Sequence, residues 1–149
     1  MKKRTKIGYT TGVFDMFHIG HLNILKKAKE QCDYLIVGVS TDELVEEYKG
    51  KRPIISFDQR QKIVEAIKYV DKVVVQDSRD KLKAYNQLHF DIMFVGDDWK
   101  GSKLFKEIEI ELQKNGAEVC YFKYTKDISS SSIRDMLQSL IDQSNNNKI

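Results

Sequence analysis

Two histidines, His18 and His21, stand where a short β-capable segment gives way to a helical pattern. Gly12 ends that segment, and Gly20 between the imidazoles permits close approach to the backbone. Apolar residues after His21 follow helical spacing, so both imidazoles should lie at or just before a helix N-terminus. Unpaired N–H groups and the positive end of the helix dipole favour an anion there. The spacing therefore predicts a phosphate-binding site at a strand-to-helix junction.

Two other kinds of site fit these histidines less well. A zinc site needs a third and a fourth ligand, and the remaining candidates, His89, Cys32 and Cys120, lack metal-binding spacing. A dinucleotide-binding fingerprint needs three closely spaced glycines, which the first turn does not supply. Each histidine taken alone could also be a capping or packing residue. The phosphate site is favoured because the two occur together at the junction.

The bulk composition limits the class of protein. The 149 residues suffice for one domain with a substantial core. Twenty-five basic and 22 acidic residues leave a net charge of +3, too weak to predict a nucleic-acid or membrane partner. No apolar run reaches membrane-spanning length, the N-terminus lacks a signal-peptide core, and the cysteines have no motif spacing. We expect a cytoplasmic protein with one domain over 1–142 and a disordered tail over 143–149.

Five apolar or β-branched runs alternate with helical segments. The run over 34–39 is apolar on both faces, as expected for a parallel strand covered by helices on each side. This alternation predicts an α/β fold with a doubly wound parallel sheet of about five strands and helices on both faces. The predicted strands are Lys6–Thr11, Tyr34–Ser40, Lys72–Val75, Ile92–Val95 and Glu118–Phe122.

Three of the helices have recognisable ends. Ser56 resembles the start of a capping box that opens a helix over 58–69. A helix over 102–115 ends at Gly116, a suitable C-terminal cap, and Ser132 opens the last helix. The inward stripe of the helix over 58–69 is predicted to comprise Ile63, Ala66, Ile67 and Val70.

Ligands of an open parallel sheet bind beyond the carboxyl ends of its strands, and unusual residues follow several of those ends. Lys49, Lys51 and Arg52 lie in the long connection after the second strand. Such a run can gather around a polyphosphate, although charge runs are usually a solvated surface. Both interpretations stay open at this point.

Acidic and hydroxyl residues follow two other strands. Asp97 and Asp98 come after the fourth strand, where they could hold a metal, bind a polar substrate or shape a tight turn. Four serines, Ser129 to Ser132, lie where the last helix begins. Their hydroxyls could bind a second phosphate, whereas an ordinary N-cap would use one of them.

Taken together, these motifs resemble the cytidylyltransferase family. The resemblance runs in order from about Ile7 to Leu140 and implies a Rossmann-like homodimer. Such an enzyme takes CTP and a phosphorylated alcohol, requires Mg²⁺, and releases a CDP-alcohol and pyrophosphate. The stretches that carry it are Gly12-Val-Phe-Asp-x-x-His18-Ile-Gly-His21, the Lys49/Lys51 loop with Gln59-Arg60, Tyr69-Val-Asp71, Gly96-Asp-Asp-Trp99 and Ile128-Ser-Ser130.

The resemblance also implies roles for individual residues. His18, His21, Lys49 and Lys51 would be catalytic, with the lysines divided between CTP and the acceptor phosphate. Acceptor-binding residues would be Lys49, Lys81, Asp98 and Trp99, while the metal ligands stay open. Nucleotide-binding residues would be Thr11, Gly12, Val13, Phe14, Gly20, Asp97, Tyr124, Thr125, Ile128, Ser129, Ser130 and Ser131.

Two departures from the family pattern bear on substrate preference. Tyr124 and Lys68 stand where the family usually has arginine. Glycerol 3-phosphate is the acceptor expected first. The alternative acceptors are phosphoethanolamine and phosphocholine. Two alternative functions are adenylyl transfer from ATP and non-catalytic nucleotide sensing. For any of the transfers the acceptor phosphate is already an anion, so catalysis should come from positioning and charge neutralisation and not from a strong base.

Overall fold

The computed structural model describes residues 4–123 and 129–147. Within them, five strands form one parallel sheet in the order β3-β2-β1-β4-β5. The strands are β1 (Ile7–Gly12), β2 (Tyr34–Ser40), β3 (Lys72–Gln76), β4 (Ile92–Gly96) and β5 (Glu118–Phe122). The helices are α1 (Ile19–Glu30), α2 (Asp42–Lys49), α3 (Phe57–Glu65), α4 (Lys81–Leu88), α5 (Lys103–Lys114) and α6 (Ser130–Asn146). The predicted doubly wound parallel sheet is confirmed.

The strands end within a residue of their predicted bounds. β1, β3 and β4 each extend one residue further, because Gly12, Gln76 and Gly96 still pair with a neighbouring strand. Six of the seven residues of β2 are buried, as the two-sided apolar run indicated. Burial on both faces places β2 inside the sheet, between β1 and β3.

Helices cover both faces of the sheet and enclose two apolar clusters. On one face, Leu25 of α1 and Val64 of α3 pack with Val37 of β2. On the other face, Ile108 of α5 packs with Met93 of β4. The connection after β1 therefore leaves on one face and the connection after β4 on the other. This divergence opens a crevice beyond the carboxyl ends of β1 and β4, where ligands of such sheets bind.

Two helices of eight residues, α2 and α4, were not predicted. The connection after β2 begins with α2, whose N-cap Thr41 accepts a hydrogen bond from the backbone of Leu44. It ends at Gly50 in the left-handed region, with φ 76°. Asp80 caps α4 by accepting from two backbone N–H groups. Helices of two turns give too few apolar repeats for their period to be recognised from sequence.

The predicted inward stripe of α3 is wrong at Ile63 and Ala66, which are exposed, whereas Ile67 and Val70 pack against the core from beyond the end of the helix. The helix runs from Phe57 to Glu65, and its buried residues are Arg60 and Val64. Ser56 is the N-cap, but its side chain forms no capping bond. The buried face of α3 thus carries Arg60, whose guanidinium is hydrogen-bonded to protein groups, and Val64 in place of Ile63.

The last two helices begin at serine caps. Ser102 caps α5 through the backbone of Phe105, and Gly116 follows that helix with φ 82°, as its predicted cap role requires. Ser129 and Ser132 form a capping box, so α6 begins two residues before the predicted position. It continues through Asn146, into the segment expected to be a tail. No helix in the described part of the chain is long and apolar enough to span a membrane.

Candidate active site

The turn between β1 and α1 has a constrained backbone. Phe14 and Met16 adopt left-handed φ values of 56° and 49°, which non-glycine residues rarely do. A Cβ at Gly12 would lie 2.8 Å from the ring of Phe14, so glycine is required there for close packing. The ring of Phe14 is itself buried in the core. Of Phe14, only the backbone is therefore available to contact a nucleotide.

His18 and His21, which we call the histidine pair, form a capping box at the start of α1. His18 is the N-cap, and its Nδ1 accepts from the N–H of Gly20 at 3.1 Å. The Nδ1 of His21 accepts from the N–H of His18 at 3.2 Å. The two rings stack with their centroids 3.9 Å apart. The predicted position at a helix N-terminus is confirmed, and the capping role is filled by the same residues.

Both imidazoles are held in the neutral form. Burial lowers the pKa of His18, and burial together with the neighbouring His18 lowers the pKa of His21 to about 4, despite the opposing Asp15. Because each Nδ1 accepts a backbone hydrogen bond, the remaining proton of each ring lies on Nε2. At neutral pH the pair thus presents two N–H donors without net charge.

The two rings of the histidine pair differ in their surroundings. The ring of His21 packs against Phe14 and Phe17, with centroids 5.4 and 5.3 Å away. The Nε2 of His18 is buried, and no described atom accepts a hydrogen bond from it. A buried donor without an acceptor is costly, so such groups commonly serve a ligand. An oxyanion at the start of α1 would satisfy it.

Asp15 joins three parts of the site, and its role was not predicted. Its buried carboxylate accepts from the backbone N–H groups of Ile54 and Ile55, both at 2.9 Å. It also pairs with Arg134 of α6 at 2.9 Å, while its backbone oxygen accepts from Ser130 at 2.5 Å. The β1–α1 turn, the segment before α3 and α6 are thereby fixed together. Its place in the Gly-Val-Phe-Asp motif was the only sequence signal.

Arg60 performs a similar function from α3. It is 1% exposed, and its guanidinium donates to the carbonyls of Val13 at 2.6 Å and Ile55 at 2.9 Å. The third contact is an ion pair with Asp42 at 2.7 Å. Burial alone would raise the pKa of Asp42, but this partner lowers it. A buried guanidinium with all contacts to protein positions the turn and is not available to a substrate.

A cavity of about 1150 Å³ lies beyond the carboxyl ends of the strands. In its wall, the Nζ of Lys81 donates to Thr11 Oγ1 at 2.9 Å. Burial and the nearby Arg79 lower the pKa of Lys81 to about 8. Of the predicted site residues, those that line the cavity are Thr11, Gly12, Val13, Lys49, Lys81, Asp98 and Trp99. Those outside its wall are Phe14, His18, Gly20, His21, Lys51, Asp97, Ser129, Ser130 and Ser131.

The three basic residues after β2 have different surroundings. Lys49 is the last residue of α2 and lines the cavity. Lys51 follows Gly50 and is exposed. Arg52 pairs with Glu46 at 2.7 Å and Glu43 at 3.4 Å, so carboxylates of α2 already neutralise it. The interpretation as one polyphosphate-binding loop therefore fits Lys49 best.

Asp97, Asp98 and Trp99 form a 3₁₀ turn directly after β4. Asp98 and Trp99 line the cavity, whereas Asp97 does not. The ring of Trp99 packs on Phe105 of α5, with centroids 5.4 Å apart. This turn places one carboxylate and one indole at the β4 side of the crevice.

The serines before α6 bind protein groups. Ser129 and Ser132 cap the helix, Ser130 donates to Asp15, and Ser131 is exposed. Arg134, which was not predicted, reaches Asp15 from the first turns of α6, and no described atom accepts from its buried Nε. The predicted nucleotide-binding residues Tyr124, Thr125 and Ile128 lie outside the described residues.

The sequence does not identify the ligands of a metal ion. Among the described residues, no group of three histidine, cysteine or acidic side chains could hold a metal ion. His89, one of the scattered zinc candidates, ends α4 in a left-handed conformation with φ 51°. Magnesium needs fewer protein ligands than zinc, since it usually keeps several waters and binds substrate phosphates.

Known proteins resemble this chain over most of its length. The cytidylyltransferase-like family model matches residues 9–136. Glycerol-3-phosphate cytidylyltransferase of Staphylococcus aureus is 35% identical over 129 residues, 86% of this chain and 92% of that protein. FAD synthase of Thermococcus sibiricus is 35% identical over 144 residues, 95% and 97% of the two chains. The lipopolysaccharide core biosynthesis protein of Thermoplasma volcanium superimposes with a TM-score of 0.68 at 29% identity, over 84% of this chain and all of that one.

Proposed function

This chain belongs to the cytidylyltransferase-like family, and on that premise we propose that it transfers CMP from CTP to glycerol 3-phosphate. The products would be CDP-glycerol and pyrophosphate. One observation carries the proposal: two neutral Nε2–H donors stand at the N-terminus of α1, beside a cavity wall that carries lysines. That combination suits a reaction between two polyanions.

The triphosphate would bind at the start of α1. Its α-phosphate would accept hydrogen bonds from the histidine pair, where the helix dipole also favours negative charge. Neutral donors suit this position because they stabilise charge as it develops and need no proton transfer. Asp15 and Arg60 would hold the turn in place, through contacts made entirely within the protein.

The transfer would proceed by in-line displacement. An oxygen of the glycerol 3-phosphate phosphate attacks the α-phosphorus of CTP and forms the new P–O bond. The bond from the α-phosphorus to the bridging oxygen breaks, and pyrophosphate leaves with the electron pair. Lys49 and Lys81 would offset the repulsion between the reacting anions, because both line the cavity.

Magnesium is proposed as the cofactor. When bound with the triphosphate, the metal would supply positive charge that offsets the charge of the departing pyrophosphate. Asp98, which lines the cavity directly after β4, would contribute a ligand. We expect EDTA to abolish turnover and added Mg²⁺ to restore it.

The similarity to an FAD synthase favours a second candidate, adenylyl transfer from ATP. The decisive experiment pairs CTP with glycerol 3-phosphate, phosphoethanolamine or phosphocholine, and ATP with FMN, each with Mg²⁺. Mass spectrometry identifies the conjugate, and pyrophosphate release gives the rate. CDP-glycerol as the main product supports the proposal, whereas FAD or another CDP conjugate as the main product contradicts it.

We also propose that the enzyme is a homodimer, as the family resemblance implies. Four large apolar side chains of α6 are 44–67% exposed, and a second copy could bury them. They are Met136, Leu137, Leu140 and Ile141. Light scattering should give twice the mass of the chain, and Leu140→Lys should shift it towards the monomer. A wild-type monomer at micromolar concentration would contradict this proposal.

A further inference from the structure

Three cations meet in the cavity wall where α2 ends and α4 begins. Lys49 is the last residue of α2, Lys81 is the first residue of α4, and Arg79 lies two residues before it. All three line the cavity, and we call them the cation cluster. Neither sequence motif nor family resemblance pointed to Arg79.

Tyr48 provides a platform for this cluster. The guanidinium carbon of Arg79 lies 4.4 Å from the centroid of the Tyr48 ring, and the Nζ of Lys49 lies 5.7 Å from it. Stacking on an aromatic face fixes the plane of a guanidinium and leaves its edge donors available. Those donors form the planar fork that suits a phosphate.

The described residues offset the charge of the cluster only in part, since Asp15 favours the charged form of Lys49 against the opposing effects of burial, Arg134 and Arg79 on its pKa. None of its three members forms an ion pair with a described carboxylate, whereas Arg52, Arg60 and Arg134 each do. The nearby carboxylate of Asp80 is used to cap α4. Burial is the main reason that the pKa of Lys49 and that of Lys81 are lowered, and Arg79 lowers both further. Like charges kept this close favour an anion between them.

The cluster and the histidine pair are both connected to the carboxyl end of β1. Lys81 donates to Thr11, near the carboxyl end of β1, and the histidine pair follows the same strand through the turn after Gly12. Two anion-binding regions thus flank the end of β1. A transfer between a triphosphate and a phosphorylated acceptor needs two such regions side by side.

We propose that Arg79, stacked on Tyr48, binds the phosphate of the acceptor and so selects a phosphomonoester as the second substrate. This inference rests on the proposed function, in which the histidine pair binds the triphosphate. Arg79 would act with Lys49 and Lys81, and the doubly ionised phosphate would be preferred because three cations face it.

The test compares Arg79→Gln with Arg79→Lys in the full chain. Loss of a charge-assisted bidentate contact should raise the KM for glycerol 3-phosphate about tenfold. The KM for CTP and the kcat should change less than about twofold, because the histidine pair is intact. Arg79→Lys should recover part of the loss, since it keeps the charge but not the fork. Lys83→Gln is the matched control, because it removes one exposed charge from α4 outside the cavity.

Two other outcomes would contradict the role of Arg79 in binding the acceptor phosphate. A raised KM for CTP with an unchanged KM for the acceptor would place Arg79 on the triphosphate and overturn the proposal. Equal effects of Arg79→Gln and Lys83→Gln would also overturn it, because bulk charge would then explain the loss. Tyr48→Ala, which removes the platform, should raise the same acceptor KM by a smaller factor.

A binding measurement separates this inference from the proposed function. If the wild type forms no CDP-glycerol, the proposed function fails, and calorimetric titration with inorganic phosphate then tests Arg79 directly. Phosphate binding that Arg79→Gln weakens and Lys83→Gln preserves supports the inference. Equal binding by all three proteins contradicts it.

Discussion

The histidine pair and the cation cluster are the two proposed anion-binding regions, and they differ in charge and in burial. The histidine pair is neutral, partly buried and fixed by reciprocal hydrogen bonds to its own backbone. Arg79 and Lys49 of the cation cluster are charged and exposed, and a single aromatic ring, that of Tyr48, supports both. The histidine pair offers hydrogen-bond donors in fixed positions, and the cation cluster offers positive charge.

This difference suggests separate roles, with the histidine pair acting in the chemical step and the cation cluster in substrate binding. Donors that are fixed before the substrate arrives stabilise a transition state without reorganisation. Exposed cations attract a polyanion and lower its repulsion towards a second one, and their charge matters more than an exact hydrogen-bond geometry. Substitutions near the histidine pair should therefore affect kcat and stability, and those in the cation cluster should affect KM.

The largest effect is expected from Asp15→Ala, which removes the support of the histidine pair. The change leaves Arg134 and two backbone N–H groups without their shared carboxylate. Breaking such a buried contact typically costs about 3 kcal/mol or more of the free energy of unfolding. Urea denaturation followed by circular dichroism measures it. Asp135→Ala is the control, since that residue is exposed on α6 and should cost less than about 0.5 kcal/mol.

A smaller but more specific effect is expected from His18→Asn. Asparagine is a good N-cap, so its side chain can still accept from Gly20 while the Nε2 donor is lost. Removal of one such donor should lower kcat by about a hundredfold, roughly 3 kcal/mol. Steady-state kinetics with saturating CTP and glycerol 3-phosphate checks this.

His18→Ala is the companion variant because it removes both the donor and the cap. Its kcat should fall as far as that of His18→Asn, and its free energy of unfolding should be lower than that of His18→Asn by about 1 kcal/mol. If His18→Asn turned over at the wild-type rate, the histidine pair would be a structural cap and the contrast with the cation cluster would fail.

The sequence predicted the sheet and the histidine pair but only part of the site. Long two-sided apolar runs determine strands such as β2, and the position of His18 at a helix start follows from local spacing. Arg79 and Arg134 carry no local signal, because their roles depend on what the topology brings beside them. Asp15 lies in the Gly-Val-Phe-Asp motif, but the motif does not show its role, because its carboxylate accepts hydrogen bonds from backbone groups 39 and 40 positions later.

The basic segment after β2 illustrates why sequence spacing alone does not identify the site residues. Counted along the chain, Lys49, Lys51 and Arg52 are equivalent, and only the unpredicted helix α2 distinguishes them. It ends at Lys49, turns at Gly50 and supplies the carboxylates that neutralise Arg52. A helix of two turns was thus enough to separate one cavity residue from its neighbours.

A comparison of Lys49→Ala with Lys51→Ala tests which lysine belongs to the cation cluster. Lys49 lines the cavity beside Arg79, so its loss should lower kcat/KM for the acceptor by about tenfold. Lys51 lies outside the wall, and we expect its loss to cost less than about threefold. Thermal melts of both variants should match the wild type, since neither lysine forms a described ion pair. A larger effect from Lys51 would mean that the triphosphate draws on cations beyond this cavity.

The smallest expected effect is a pH dependence that belongs to the cation cluster alone. Because the pKa of Lys81 is lowered to about 8, the side chain is mostly charged at pH 7 and loses its charge as the pH rises through 8. Between pH 7.5 and 8.5 the kcat/KM for the acceptor should fall about threefold. The histidine pair should add no change there, since His21, with a pKa of about 4, is neutral throughout. Lys81→Arg should flatten this alkaline limb, because an arginine keeps its charge. An unchanged limb in that variant would assign it to a group outside the cation cluster.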